Sequence, residues 1–71
     1  MPEKIHVQSS NVEAVAYEAE SMTLHVWFNS DSHYCYSGVP EDLYQGLLYA
    51  DSVGSFLNRE IKGTYNYQQI S

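Results

Sequence analysis

His33–Lys62 reads HYCYSGVPEDLYQGLLYADSVGSFLNREIK. A short aromatic strand, Tyr34-Cys35-Tyr36, runs there into the turn Ser37-Gly38-Val39-Pro40. Pro40 suits the first turn of a helix, where its missing N–H costs nothing. Glu41 and Asp42 follow, where the helix dipole favours negative charge. Val39, Leu43, Leu47 and Ala50 recur at four- and three-residue steps, one stripe of a helix. Asp51-Ser52 interrupts the stripe, and Ser52 is placed to cap a second helix over Val53–Lys62. Gly63 stands where a helix needs a left-handed residue to stop. Strand, helix and helix in one stretch point to an α+β domain.

Upstream, Asn11–Glu18 and Met22–Phe28 alternate as strands. Two-residue turns at Ala19-Glu20 and Ser30-Asp31 would pair Tyr17 with Met22, Val15 with Leu24, Phe28 with His33 and Trp27 with Tyr34. These registers sort the side chains onto two faces. Val15, Tyr17, Met22, Leu24, Val26, Phe28, His33 and Cys35 share the aliphatic face, which should meet the helices. Ala14, Ala16, Thr23, His25, Trp27, Tyr34 and Tyr36 share the other. Leu24, Val26, Phe28, Leu43, Leu47, Phe56 and Ile61 are the expected core. Residues 1–10 read as an arm or an edge strand, residues 11–71 as a single domain, and Thr64–Gln68 as a last short strand or extended tail. The expected architecture is a small antiparallel sheet of three or four strands with two helices packed on one face.

The chain has 71 residues, near the lower limit for a domain that folds alone. Apolar residues make up 44%, enough for a small core and too many for a disordered chain. One Cys excludes an internal disulfide and fits a reducing cytoplasm. No apolar run is long enough to span a bilayer, and the N-terminus has no signal-peptide core. Nine acids against Lys4, Arg59 and Lys62 leave a net charge of −6. That balance disfavours nucleic acid and permits a basic protein surface.

Val15, Tyr17, Leu24, Val26 and Phe28, then the ordered set Y-x-Y-x-G-V-P at 34–40, A-x-S-x-G at 50–54 and F-x-N-x-x-I at 56–61, resemble the KTSC domain. This small module is named for its occurrence at the C-terminus of some lysyl-tRNA synthetases, and it also occurs as a stand-alone protein in bacteria and phages. The resemblance covers about Ser10 to Tyr67. It implies a compact α+β fold and no reaction, cofactor or catalytic residue; the synthetase link suggests RNA-associated work by association. Two positions depart from the family pattern. The family often has Gly in the turn where this chain has Ser30-Asp31, and His33 stands where an aliphatic residue is usual.

Four clusters carry potential chemistry. His33 and Cys35 share a face at i,i+2, but zinc needs three or four ligands and His25 falls on the opposite face in this register. No metal is therefore expected. Cys35 points toward the core, where thiols are inert, so it is not read as a nucleophile. Ser52, Gly54, Ser55 and Arg59 could hold an anion at the second helix start, although capping and a close helix–helix contact at Gly54 explain the same residues. Trp27, Tyr34, Tyr36 and His25 form an aromatic face suited to a flat partner. The expected role is a non-catalytic cytoplasmic interaction module that binds a protein or another copy of itself, with no membrane and no enzyme activity. An RNA-associated module using the aromatic face is the alternative; a small metal-dependent or hydrolytic enzyme is a distant third.

Overall fold

A computed structural model of the chain describes residues 3–70. Strands β1 (Ile5–His6), β2 (Val12–Glu18), β3 (Thr23–Phe28) and β4 (His33–Tyr36) precede helices α1 (Glu41–Leu48) and α2 (Val53–Phe56). A π-helical segment, Leu57–Ile61, prolongs α2, and β5 (Tyr67–Gln69) ends the sheet. The order β1-β2-β3-β4-β5 follows the chain, and every neighbouring pair is antiparallel. Five strands exceed the three or four expected, because Ile5–His6 and Tyr67–Gln69 both join as edges.

The β2–β3 loop takes four residues rather than two. Glu18 pairs with Thr23, so Tyr17 opposes Leu24 and Val15 opposes Val26. This differs from the expected pairing by two residues, which leaves the faces intact. Met22, expected in the strand, lies in the turn at φ 54°, with its N–H bonded to the Ala19 carbonyl.

The β3–β4 loop has the larger consequence. It is a three-residue loop, Asn29-Ser30-Asp31, closed by Asp31 N–H to Phe28 O (3.0 Å) and Phe28 N–H to Ser32 O (2.8 Å). Asp31 supplies the left-handed residue such loops need, at φ 68°. The strands then pair Trp27 with His33, Val26 with Tyr34, His25 with Cys35 and Leu24 with Tyr36. A one-residue shift from the expected register turns every β4 side chain over. Tyr34 and Tyr36 move to the helix-covered face, and His33 and Cys35 move to the outer one. An aspartate in this conformation carries a penalty that glycine avoids. Asp31→Gly is expected to raise stability by about 1 kcal/mol, read as a melting temperature several degrees higher; an unchanged or lower midpoint would contradict the loop geometry.

The helices cover the face that carries Val15, Leu24, Val26 and Tyr36. These residues form one buried cluster with Val12, Val39, Tyr44, Leu47, Val53, Leu57 and Ile61. Of the seven core residues expected, Leu24, Val26, Leu47 and Ile61 are fully buried; Phe28, Leu43 and Phe56 are half-buried against them. Tyr44 stacks on Tyr17 at 4.9 Å, and the Tyr17 hydroxyl donates to the Val39 carbonyl, tying β2 to the entry of α1. The helices approach at Gly46, where an added Cβ would lie 3.2 Å from the Phe56 ring. Ser52 caps α2 by accepting from the Ser55 N–H (3.3 Å). The last helical bond runs from Lys62 N–H to Leu57 O, a five-residue step, and Gly63 then ends the segment at φ 82°. Among the described residues no helix is long and apolar enough to cross a membrane.

Candidate functional site

The register divides the expected aromatic face between the two sides of the sheet. On the inner side Tyr36 is 2% exposed, and Tyr34 is half-buried beside it. Both were expected beside Trp27 on the open face; the three-residue loop reverses them. They line a groove of about 380 Å³ with Phe28 and Tyr67, whose wall also includes Lys62, Gly63, Ser30 and Ser32. The rings form a ladder. Phe28 meets Tyr34 edge-on at 5.4 Å, Tyr34 lies 5.7 Å from Tyr67, and Tyr67 lies 6.0 Å from Tyr36. The Tyr34 hydroxyl donates to Gln69 Oε1 at 3.3 Å. Tyr67 is 64% exposed and presents most of its ring to solvent. Burial, and then the neighbouring Tyr34 and Tyr67, push the Tyr36 hydroxyl above its ordinary pKa, so it stays a neutral donor at physiological pH. Tyr67 and Lys62 were missed as site residues. The alternation of Tyr65 and Tyr67 was visible, but only the β5 pairing sends Tyr67 to the groove while Tyr65 packs on the core.

The outer side carries His25, Trp27, His33 and Cys35, all half-buried. Trp27 and His33 are cross-strand partners and stack at 4.4 Å with planes 17° apart. The ammonium of Lys4 sits 4.6 Å from the Trp27 ring centre and pairs with Glu13 at 3.8 Å. Ala14 and Ala16 lie on this side as well, yet are fully buried, so the larger neighbours screen the sheet from water. His25 Nδ1 is 3.2 Å from His33 Nε2 and 3.1 Å from Cys35 Sγ. The three potential ligand atoms lie within 4.8 Å of one another. The expectation that His25 and the His33–Cys35 pair point apart is therefore overturned, and with it the reason for excluding a metal. Cys35 was also expected to face the core and does not. Burial pushes the Cys35 thiol up; burial, then the charges of His25 and Lys4, hold His33 below the ordinary histidine value.

At the possible anion site, Ser52, Ser55 and Arg59 have partners within the chain. The Ser52 hydroxyl and the Ser55 N–H satisfy each other. Gly54 faces the Ser9 and Asn11 side chains rather than the other helix. Arg59 bonds Glu60 at 3.0 Å and lies 5.7 Å from the Phe56 ring. Each of the three cations thus sits over a different ring, Lys4 on Trp27, Arg59 on Phe56 and Lys62 on Phe28.

The model of the family described as the KTSC domain matches residues 8–65. An uncharacterized protein of Stutzerimonas stutzeri is 37% identical over 68 residues, covering 94% of this chain and 96% of its own length. A lysine–tRNA ligase of Nostoc punctiforme is 34% identical over 64 residues; these are 90% of this chain and only 11% of the ligase. The crystal structure of a KTSC domain protein of Yersinia pestis superposes with a TM-score of 0.96 at 30% identity, over 100% of both chains.

Proposed function

Since the chain belongs to the KTSC domain family, we propose that it is a non-catalytic interaction module whose tyrosine groove binds an arginine- or lysine-bearing segment of a partner protein. The observation that carries this reading is the groove itself: four aromatic side chains, the exposed Tyr67 among them, wall about 380 Å³. Tyrosine faces attract guanidinium and ammonium groups. The net charge of −6 adds long-range attraction for a basic segment. Aromatic anchors of this kind bury much area at little entropic cost. A lone thiol favours action in the reducing cytoplasm.

A specific observation supports an RNA-associated alternative, namely the ligase relatives in which a matching segment occupies 11% of the length. Stacked tyrosines suit bases. Charge weighs against this alternative. Single-strand grooves track the phosphates with clustered cations, whereas here Lys62 is the one cation lining the groove among the described residues.

The readings separate in a backbone-amide NMR titration with an arginine-rich peptide, a glutamate-rich peptide of equal length and oligouridine. The arginine peptide should shift Tyr34, Tyr36, Lys62 and Tyr67. Tyr67→Ala, at an exposed position, should weaken that binding about tenfold or more without unfolding the domain. Shifts elsewhere on the surface, or tighter binding to oligouridine, would overturn the assignment.

A further inference from the structure

We infer that His25, His33 and Cys35 form a three-ligand zinc site on the outer face of the sheet, separate from the tyrosine groove. Two neighbouring strands supply the ligands. His25 and Cys35 are directly opposed, and His33 is the diagonal neighbour two residues before Cys35. The strands are the centre of the sheet and their register is held by the buried Leu24–Tyr36 pair. The ligands are thus mounted on rigid elements rather than on a mobile loop.

The distances approach those of a metal tetrahedron. With Zn–N near 2.0–2.1 Å and Zn–S near 2.3 Å, ligand atoms around zinc stand about 3.3 Å apart for N···N and about 3.6 Å for N···S. The His25–His33 separation is 3.2 Å and the His25–Cys35 separation 3.1 Å. The remaining edge is no longer than 4.8 Å. Small rotations of the three side chains about their own bonds bring the atoms onto one ion.

Hydrogen bonding alone serves this cluster poorly. His25 Nδ1 has either one hydrogen or one lone pair, never both, yet it faces His33 Nε2 and Cys35 Sγ at once. One bond is made well and the other partner is left competing for the same site. A cation resolves the conflict, because each of the three atoms donates its own lone pair to it. The Cys35 thiol releases its proton to solvent as the Zn–S bond forms, and two neutral imidazoles complete the set.

Ligand type selects the ion. Two imidazoles and a thiolate, with no carboxylate among them, suit a borderline-soft cation and not magnesium or calcium. All three residues are half-buried, so one side of the cluster is open to water. That opening leaves the fourth position of the tetrahedron to a solvent molecule. Trp27, stacked on His33, limits that ring's movement from one side.

The test is titration of reduced, metal-free protein with Co²⁺ and then Zn²⁺. Cobalt should produce a thiolate-to-metal charge-transfer band at one ion per chain, and zinc should displace it with a Kd below about 10 µM. Cys35→Ser should abolish the band. His25→Ala and His33→Ala should each weaken zinc binding at least tenfold, since even outer residues around a metal cost about 10–100-fold. His6→Ala, an exposed histidine at the sheet edge, should change nothing. Circular dichroism checks that the variants fold; if one does not, the wild-type band alone decides. A wild-type protein with no charge-transfer band, or with zinc binding weaker than 10 µM or independent of Cys35, would overturn the site.

Discussion

Tyr36→Ala is expected to destabilise the domain by about 3–5 kcal/mol, a large share of the stability of a chain this short. Trp27→Ala, which removes a larger ring, should cost only about 1–2 kcal/mol. The order follows from burial. Tyr36 is 2% exposed in the helix-covered core, opposite Leu24, whereas Trp27 lies half-buried on the outer face. Truncating Tyr36 leaves a cavity that its neighbours cannot fill, because α1 and the sheet are already close-packed around Val39 and Leu47. Truncating Trp27 uncovers Ala14 and the Lys4 stem to water and opens no cavity in the core. Urea unfolding of both variants measures the difference. A Trp27 variant less stable than the Tyr36 variant would mean that β4 is paired in the other register.

The second large effect is Leu24→Ala, expected to cost about 2–5 kcal/mol. Leu24 is fully buried near the start of β3, flanked across the sheet by Tyr17 and Tyr36. Phe28→Ala should cost less, although its ring is larger. Phe28 stands half-exposed at the groove rim, with one face toward the Lys62 ammonium at 5.1 Å. Because Leu24 and Tyr36 are direct partners, the double variant should depart from additivity by about 0.5–3 kcal/mol. Strict additivity in denaturant midpoints would show that the two side chains do not share one packing site.

Three positions illustrate what a single residue can reveal. Ser52 was legible as a cap because capping is local: its hydroxyl reaches an N–H three residues away. Gly63 was legible for a similar reason, since a helix end needs one left-handed residue wherever the rest of the chain lies. Asp31 was not read as the left-handed residue of a three-residue loop, because aspartate is compatible with several turn types. That one omission misplaced Tyr34, Tyr36, His33 and Cys35 together. It set the aromatic residues in one group where the protein has two, and it parted three ligand-type side chains that the structure gathers.

Alternation in Met22–Phe28, the apolar stripes of α1 and α2, the cap and the stop are written in neighbouring residues. From them the α+β class, the helices, the strands β2–β4 and the face of β3 that meets the helices could be determined by the sequence alone. These properties depend on periodicity within a segment, where the geometry repeats every few residues. The pairing of β3 with β4, the joining of β1 and β5, the tyrosine groove and the His25–His33–Cys35 cluster were decided only in the tertiary structure. Register between strands has period two, so one residue in a loop reverses a whole strand, and no local pattern records which choice was made. Packing made it: the register adopted buries Tyr36 against Leu24 and keeps the His33 imidazole and the Cys35 thiol out of the core.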